Sequence, residues 1–225
     1  MRVRRRAVLV GGAGLLVGAA ATEGGNLLAA DGPSKTVPPG EDLMQEHGVL
    51  KRVLLVYRAA IDRFAAGTAV PTSAVHGGAT VVHDYIEGFH EQLEEVHVFP
   101  ALRRAGVEVQ TVDTLTYQHL KGRQITTRLL DATSSTLTPT ASRQVASDLA
   151  AFVRMYEPHE AREDTVVFPA LREVLGAEAL QDMGEQFATL ERRQLGPTSF
   201  RDRVAQVAAL EQQLGIADLT QFTPA

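Results

Sequence analysis

Residues 89–102 read FHEQLEEVHVFPAL and residues 158–171 read PHEAREDTVVFPAL, so His90, Glu91, Glu94, Phe99, Pro100, Ala101 and Leu102 recur sixty-nine positions later. On a helix each residue advances by about 100°, which stacks His90 over Glu94, and His159 over Glu163, one turn apart on a single face. A fainter echo links Glu46-His47-Gly48 with Gln118-His119-Leu120, each opening an apolar run. The chain thus reads as a helix pair used twice. Closing the two repeated faces on each other, with one His from each remaining helix, brings four imidazoles and two carboxylates to one interior point. Exposed i, i+4 pairs of opposite charge are common on solvated helices. Recurrence of the whole fourteen-residue block makes that reading a poor account of these two.

Working outward, Leu43, Leu50, Val53, Leu54 and Tyr57 repeat at helical steps, placing a first helix from about Glu41 to Ala66, before Gly67 and Pro71. A second spans about Thr72 to Val98, weakened by Gly77 and Gly78 and ending near Pro100. A third covers Val109 to Ala132 and a fourth Pro139 to Phe168, with a kink expected at Pro158. No strand-like alternation of useful length is present. Long helices with short polar connections predict an all-α fold, an antiparallel up-down-up-down four-helix bundle. Cys is absent, so thiolate sites and disulfides are excluded, and a transition metal would be held by imidazole and carboxylate, as suits iron, manganese or zinc. The net charge of −5 speaks against nucleic acid as a partner.

With H-x-x-x-E followed by Phe-Pro twice, and a lone His on each intervening helix, the chain resembles the HHE cation-binding domains of bacterial hemerythrin-like proteins over about residues 41–175. Carried over position by position, the resemblance implies the metal ligands His47, His90, Glu94, His119, His159 and Glu163. It also implies a non-haem, carboxylate-bridged pair of iron ions that handles dioxygen, peroxide or iron itself. Oxygen-carrying invertebrate hemerythrins differ in using a second His four residues along the third helix, where this chain has Arg123. They also place an Asp five residues after the fourth-helix His, here Asp164. Glu163 is preferred because the internal repeat aligns it with Glu94, with Asp164 as the other candidate. Loss of the third-helix His argues against simple reversible oxygen carriage. Two functions follow as expectations: a di-iron oxidoreductase acting on dioxygen or peroxide, or a non-catalytic iron or oxygen store or sensor.

Spacing places several further groups around the site. Glu87 and Tyr156 each precede a repeated His by three and are expected to orient imidazoles or move protons. Glu91 and Glu160 follow those histidines directly and are either extra carboxylate donors or surface charges. His76, His83 and His97 are read as loop, helix-end or half-buried residues, and the Phe-Pro pairs as apolar caps at the bundle ends or, in preference, as simple packing. Met1 to Arg6, with Arg4, Arg5 and Arg6, followed by the Gly- and Ala-rich run from Ala7 to Ala21, has the layout of a twin-arginine-type signal peptide over residues 1–30. Residues 31–40 then read as a linker. Export to the periplasm or beyond follows, with no stable membrane span after cleavage. Residues 176–225 carry two amphipathic segments, Ala177 to Leu195 and Phe200 to Leu214, expected as a helical hairpin that covers the bundle or else forms a homodimer interface.

Overall fold

The computed structural model describes residues 37–224, so the expected signal peptide and most of the linker lie outside the described residues. Within them the chain is helical, with no strand. Helix α1 spans Pro39–Ala65. Pro39 occupies its first turn, where a missing N–H costs nothing, and Glu41 and Asp42 there and Arg63 in the last turn suit the helix dipole. Helix α2 covers 72–105, α3 spans Val109–Thr133, and α4 covers 139–175. Each packs beside the next, and α4 returns to α1. Tyr57 of α1, Tyr85 and Phe89 of α2, Leu129 of α3 and Phe152 of α4 are among the large side chains buried between them. Among the described residues no helix is long and apolar enough to cross a membrane.

Two helix ends differ from expectation for one reason. Proline at position 100 lacks an N–H and would drive its ring into the carbonyl four residues back, which should stop or bend the helix. Instead the turn before each Phe-Pro widens: the Phe99 N–H donates to the Glu94 carbonyl and the Phe168 N–H to the Glu163 carbonyl, five residues back in both cases. These π-turns, Glu94–Val98 and Glu163–Val167, let both helices run on. Helix α2 therefore passes Pro100 to Ala105 and closes on left-handed Gly106, and α4 passes Pro169 to the break at Gly176 (φ 71°, ψ 174°). The expected irregularity at Pro158 is displaced too, since Pro139–Arg162 is continuous helix and the departure comes at Glu163.

Gly77 and Gly78, read as weak points of the second helix, are places of close approach. A Cβ at Gly77 would come within 2.7 Å of a Leu210 methyl, and one at Gly78 within 2.9 Å of the Tyr57 ring. The C-terminal pair, α5 over 177–194 and α6 over Ser199–Gln213, supplies that neighbour. Helix α6 lies on α1 and α2, burying Val207, Leu210 and the following Leu214, and Arg52 of α1 donates two hydrogen bonds to Glu211, at 2.8 and 2.6 Å. This face of α6 therefore covers its own bundle.

Candidate metal centre

The repeat places its chemistry where the π-turns begin. Glu94 and Glu163 each open a widened turn, and both are fully buried at 0% exposure. Around them the four imidazoles stand in two pairs. His47 Nε2 lies 3.1 Å from His90 Nε2, and His119 Nε2 lies 3.2 Å from His159 Nε2. Glu94 reaches across both pairs, with Oε1 at 3.5 Å from His90 Nε2 and Oε2 at 3.5 Å from His119 Nε2. Glu163 does the same in the opposite sense, with Oε1 at 3.1 Å from His159 Nε2 and Oε2 at 3.4 Å from His47 Nε2. Neighbouring ligand atoms on an ion at about 2.1 Å stand about 3 Å apart. The donor set has that spacing, and its six residues form two groups capable of holding a cation, His47, His90 and Glu94, and His119, His159 and Glu163, while a third such group, Glu91, Glu95 and His119, shares His119 with the second.

The fit to a cation rests on what these atoms lack. Among the described residues, neither oxygen of Glu94 nor of Glu163 has a hydrogen-bond partner, although such buried acceptors are normally satisfied. Each imidazole turns its Nδ1 outward to an acceptor: His47 donates to Asp164 at 2.7 Å, His90 to Glu46 at 2.7 Å, His119 to Glu95 at 2.8 Å and His159 to Gln118 at 2.9 Å. With a ring proton so placed, the Nε2 of each imidazole, when neutral, offers a lone pair inward. Nε2 atoms facing each other across 3.1 Å beside buried carboxylates form an arrangement that a cation stabilises.

These outer partners obey the internal repeat. Glu95 and Asp164 are repeat mates, each following a buried glutamate and each holding the lone His of another helix. Glu46 and Gln118 are mates as well, each preceding a lone His and holding the His of an H-x-x-x-E pair. The aromatic packing repeats in the same way: Phe99 stacks on His119 at 5.6 Å and Phe168 on His47 at 5.7 Å. The Phe-Pro pairs therefore wall the site and do not cap the bundle ends.

Six of the eleven residues singled out by sequence meet in the two groups, and Asp164 meets them as the partner of His47 Nδ1. The others take different places. Tyr156 donates to Glu91 at 2.7 Å, with its ring 5.1 Å from that of His159, and Gly122 makes room for it, since a Cβ there would fall 2.1 Å from the hydroxyl. Glu91 also pairs with Arg123 at 2.7 Å, and Glu160 with Lys51 at 3.0 Å. Both are buried, so neither is a surface charge. Glu87 is buried, and among the described residues its side chain hydrogen-bonds to no imidazole. Glu46, Glu95 and Gln118 were not singled out by sequence. The signal for them was the same repeat, read one residue to either side. His76 lies inside α2 with Nδ1 at 2.9 Å from Thr133 Oγ1, His83 is exposed beside Asp84, and His97 is half-buried near Phe187.

Burial and mutual charge shift the titration of the whole cluster. Burial, aided by the charge of Glu163, pushes Glu94 well above the usual carboxylate range. For Glu163, burial is outweighed by His159 and His47, which hold it well below that range. His47 is lowered by burial but raised more by Asp164 and Glu163, reaching about 9. Burial, then the charge of His47, holds His90 well below its ordinary value. Burial raises Glu46 to about 8, Asp42 to about 7 and Glu87 to about 7.

A pH dependence follows with a definite sign. Glu46, Asp42, Glu87 and His47 all keep protons in the folded chain that they lose earlier when unfolded, from ordinary values of 4.5, 3.8, 4.5 and 6.5. The folded state therefore binds more protons, and stability falls as pH rises through the folded values. Metal-free protein is expected to melt at progressively lower temperature from pH 6.5 to pH 8. Metal binding displaces protons, so the stabilisation on loading should grow over the same range. Calorimetric melts of chelator-treated and metal-loaded protein check both signs; a metal-free midpoint that climbs with pH would contradict the first.

Comparison with known proteins places this geometry. The uncharacterized protein Rv1995 of Mycobacterium tuberculosis (strain ATCC 25618 / H37Rv) is 47% identical over 196 residues, covering 85% of this chain and 77% of its own. The uncharacterized protein Mb2018 of Mycobacterium bovis gives the same figures. No solved structure matches. The family model described as the hemerythrin HHE cation binding domain matches residues 39–171, which hold both imidazole pairs and both buried glutamates. By that match, over more than half its length, the chain belongs to the hemerythrin HHE cation-binding family.

Proposed function

We propose that the chain holds two iron ions between its two imidazole pairs and uses them to bind or react with dioxygen or peroxide. The observation that carries this is the placement of Glu94 and Glu163, each with one oxygen toward either pair and, among the described residues, no other partner for either oxygen. Two carboxylates so placed suit two cations sharing both, with two imidazoles completing the protein donors of each. Bound iron would supply electron exchange with dioxygen or peroxide. The rest is the work of this chain. Asp164, Glu46, Glu95 and Gln118 fix which nitrogen of each imidazole carries its proton, so that each Nε2 remains a donor toward the centre. Phe99 and Phe168 lie flat on two of those rings and exclude water from their outer faces. Arg123 ties Glu95 and Glu91 together at 2.7 Å each, and Tyr156 holds the other side of Glu91.

The test is metal content and reactivity of protein purified without air. About two irons per chain is expected, with a visible band that changes on exposure to oxygen or peroxide. Repeated peroxide turnover, lost in Glu94→Ala, supports the oxidoreductase form of the proposal. A single stoichiometric oxidation supports the storage or sensing form, which the deep burial of all six residues, none above 3% exposed, also favours. Protein that takes up no iron under these conditions, with an unchanged spectrum, overturns both.

A further inference from the structure

The two halves of the centre are related by the repeat, yet their surroundings are not alike. On one side, His90 Nδ1 donates to the buried carboxylate of Glu46, whose other oxygen accepts from the Tyr85 hydroxyl at 3.2 Å. At the equivalent place on the other side stands a neutral amide, Gln118, accepting from His159. The second pair of mates differs in the same direction. Glu95, behind His119, shares its charge with the Arg123 guanidinium at 2.7 Å. Asp164, behind His47, has Lys51 at 3.9 Å as its basic neighbour among the described residues, and that ammonium sits closer to Glu160. A full carboxylate behind an imidazole strengthens the inward nitrogen as a metal donor, and an amide does so less. Behind His90 stands a carboxyl group where His159 has an amide, and the carboxylate behind His119 is held by a guanidinium at 2.7 Å that has no counterpart at that distance behind His47.

Access differs as well. A cleft of about 360 Å³ opens between α3 and α4, lined by Thr111, Thr114, Gln118, Pro158, His159 and Arg162. Of the six metal-facing residues, His159 alone lines this cleft. The corresponding Glu46–His90 hydrogen bond is buried, and Tyr85 packs over it at 0% exposure.

We infer that the two metal positions are unequal: the one at His119, His159 and Glu163 exchanges its ion through the cleft beside Thr114 and Arg162, and the one at His47, His90 and Glu94 retains its ion. This rests on the proposed six-residue set and adds an order of loading and release to it. Glu46 and Gln118 are positioning residues that set the difference, and the ions concerned are divalent first-row cations.

The experiment uses the full chain loaded with two equivalents of cobalt(II), mixed with excess chelator and followed by the visible cobalt spectrum. Two release phases of equal amplitude are expected, separated by about tenfold or more, the scale on which outer partners change metal affinity. Gln118→Glu should slow the fast phase alone, and Glu46→Gln should speed the slow phase alone. Thr114 is exposed, so Thr114→Trp should fold normally, and by filling the cleft it should slow both release and uptake of the fast ion without changing the stoichiometry. A single phase carrying both ions overturns the inference and leaves the six-residue reading standing, as does a Gln118→Glu effect on the slow phase. Protein that binds no cobalt overturns the reading and the inference together.

Discussion

Glu94→Leu is expected to raise the melting temperature of the metal-free protein while abolishing its stabilisation by metal. The carboxyl is fully buried, neither oxygen has a partner, and burial with the Glu163 charge pushes its titration well above the ordinary range. A buried polar group left unsatisfied costs about 1–3 kcal/mol, and more when charged. Leucine has a similar volume and no polar atoms, so the substitution removes that cost without opening a large cavity. For a chain of this size the gain corresponds to roughly 2–10 °C in the midpoint. Adding metal should then separate the two proteins. Wild type gains stability with metal concentration, because an ion bound by the folded state alone draws the equilibrium toward it. The variant has lost the one side chain that spans His90 and His119, and should gain little. Calorimetry with and without metal reads both effects. A metal-free variant that melts below wild type would mean that Glu94 is satisfied in solution, and the argument from its unpaired oxygens would fail.

The opposed signs in that one substitution show why the centre was legible in the sequence and its supports were less so. A ligand side chain that costs stability in the metal-free chain has a strong sequence signature, because a buried Glu in an apolar stretch has few other reasons to recur with a His one turn before it. Hence His90, Glu94, His159 and Glu163 could be read from spacing, and His47 and His119 from the fainter repeat. Glu95 and Gln118 carry no such signature. Each is half-exposed and looks like a solvated helix residue until the neighbouring helix brings an imidazole nitrogen against it. The helix ends were misread because proline is a stop signal in a regular helix, and only the widened turn in front of Pro100 and Pro169 removes the clash. Gly77 and Gly78 likewise looked like weak helix formers, since their use depends on Leu210 and Tyr57, which arrive from other helices. Glu87 shares a helix face with His90 three residues away, which does not fix which neighbour its carboxyl meets.

Phe99→Ala is expected to be the most damaging single change to stability, and its effect on the centre should be local. The ring is fully buried, lies on the His119 imidazole at 5.6 Å with 22° between planes, and sits at the exit of the π-turn that begins at Glu94. Truncating a buried Phe to Ala costs about 3–5 kcal/mol through lost burial and the cavity left behind. That corresponds to roughly 6–20 °C for a protein of this length. Val96→Ala, on the same π-turn but 59% exposed, should change stability by no more than about 0.5 kcal/mol, which separates loss of the ring from disturbance of the turn. The cavity also frees one face of His119, leaving its hydrogen bond to Glu95 and its contacts with His159 and Glu94 to hold the ring. In cobalt-loaded protein, the exchangeable Nδ1–H signal of His119 should therefore broaden while those of His47 and His90 stay sharp. Phe168→Ala should do the converse through His47, on which Phe168 stacks at 5.7 Å. If both variants disturb all four imidazoles equally, the Phe residues act on the bundle as a whole and not as walls for individual ligands.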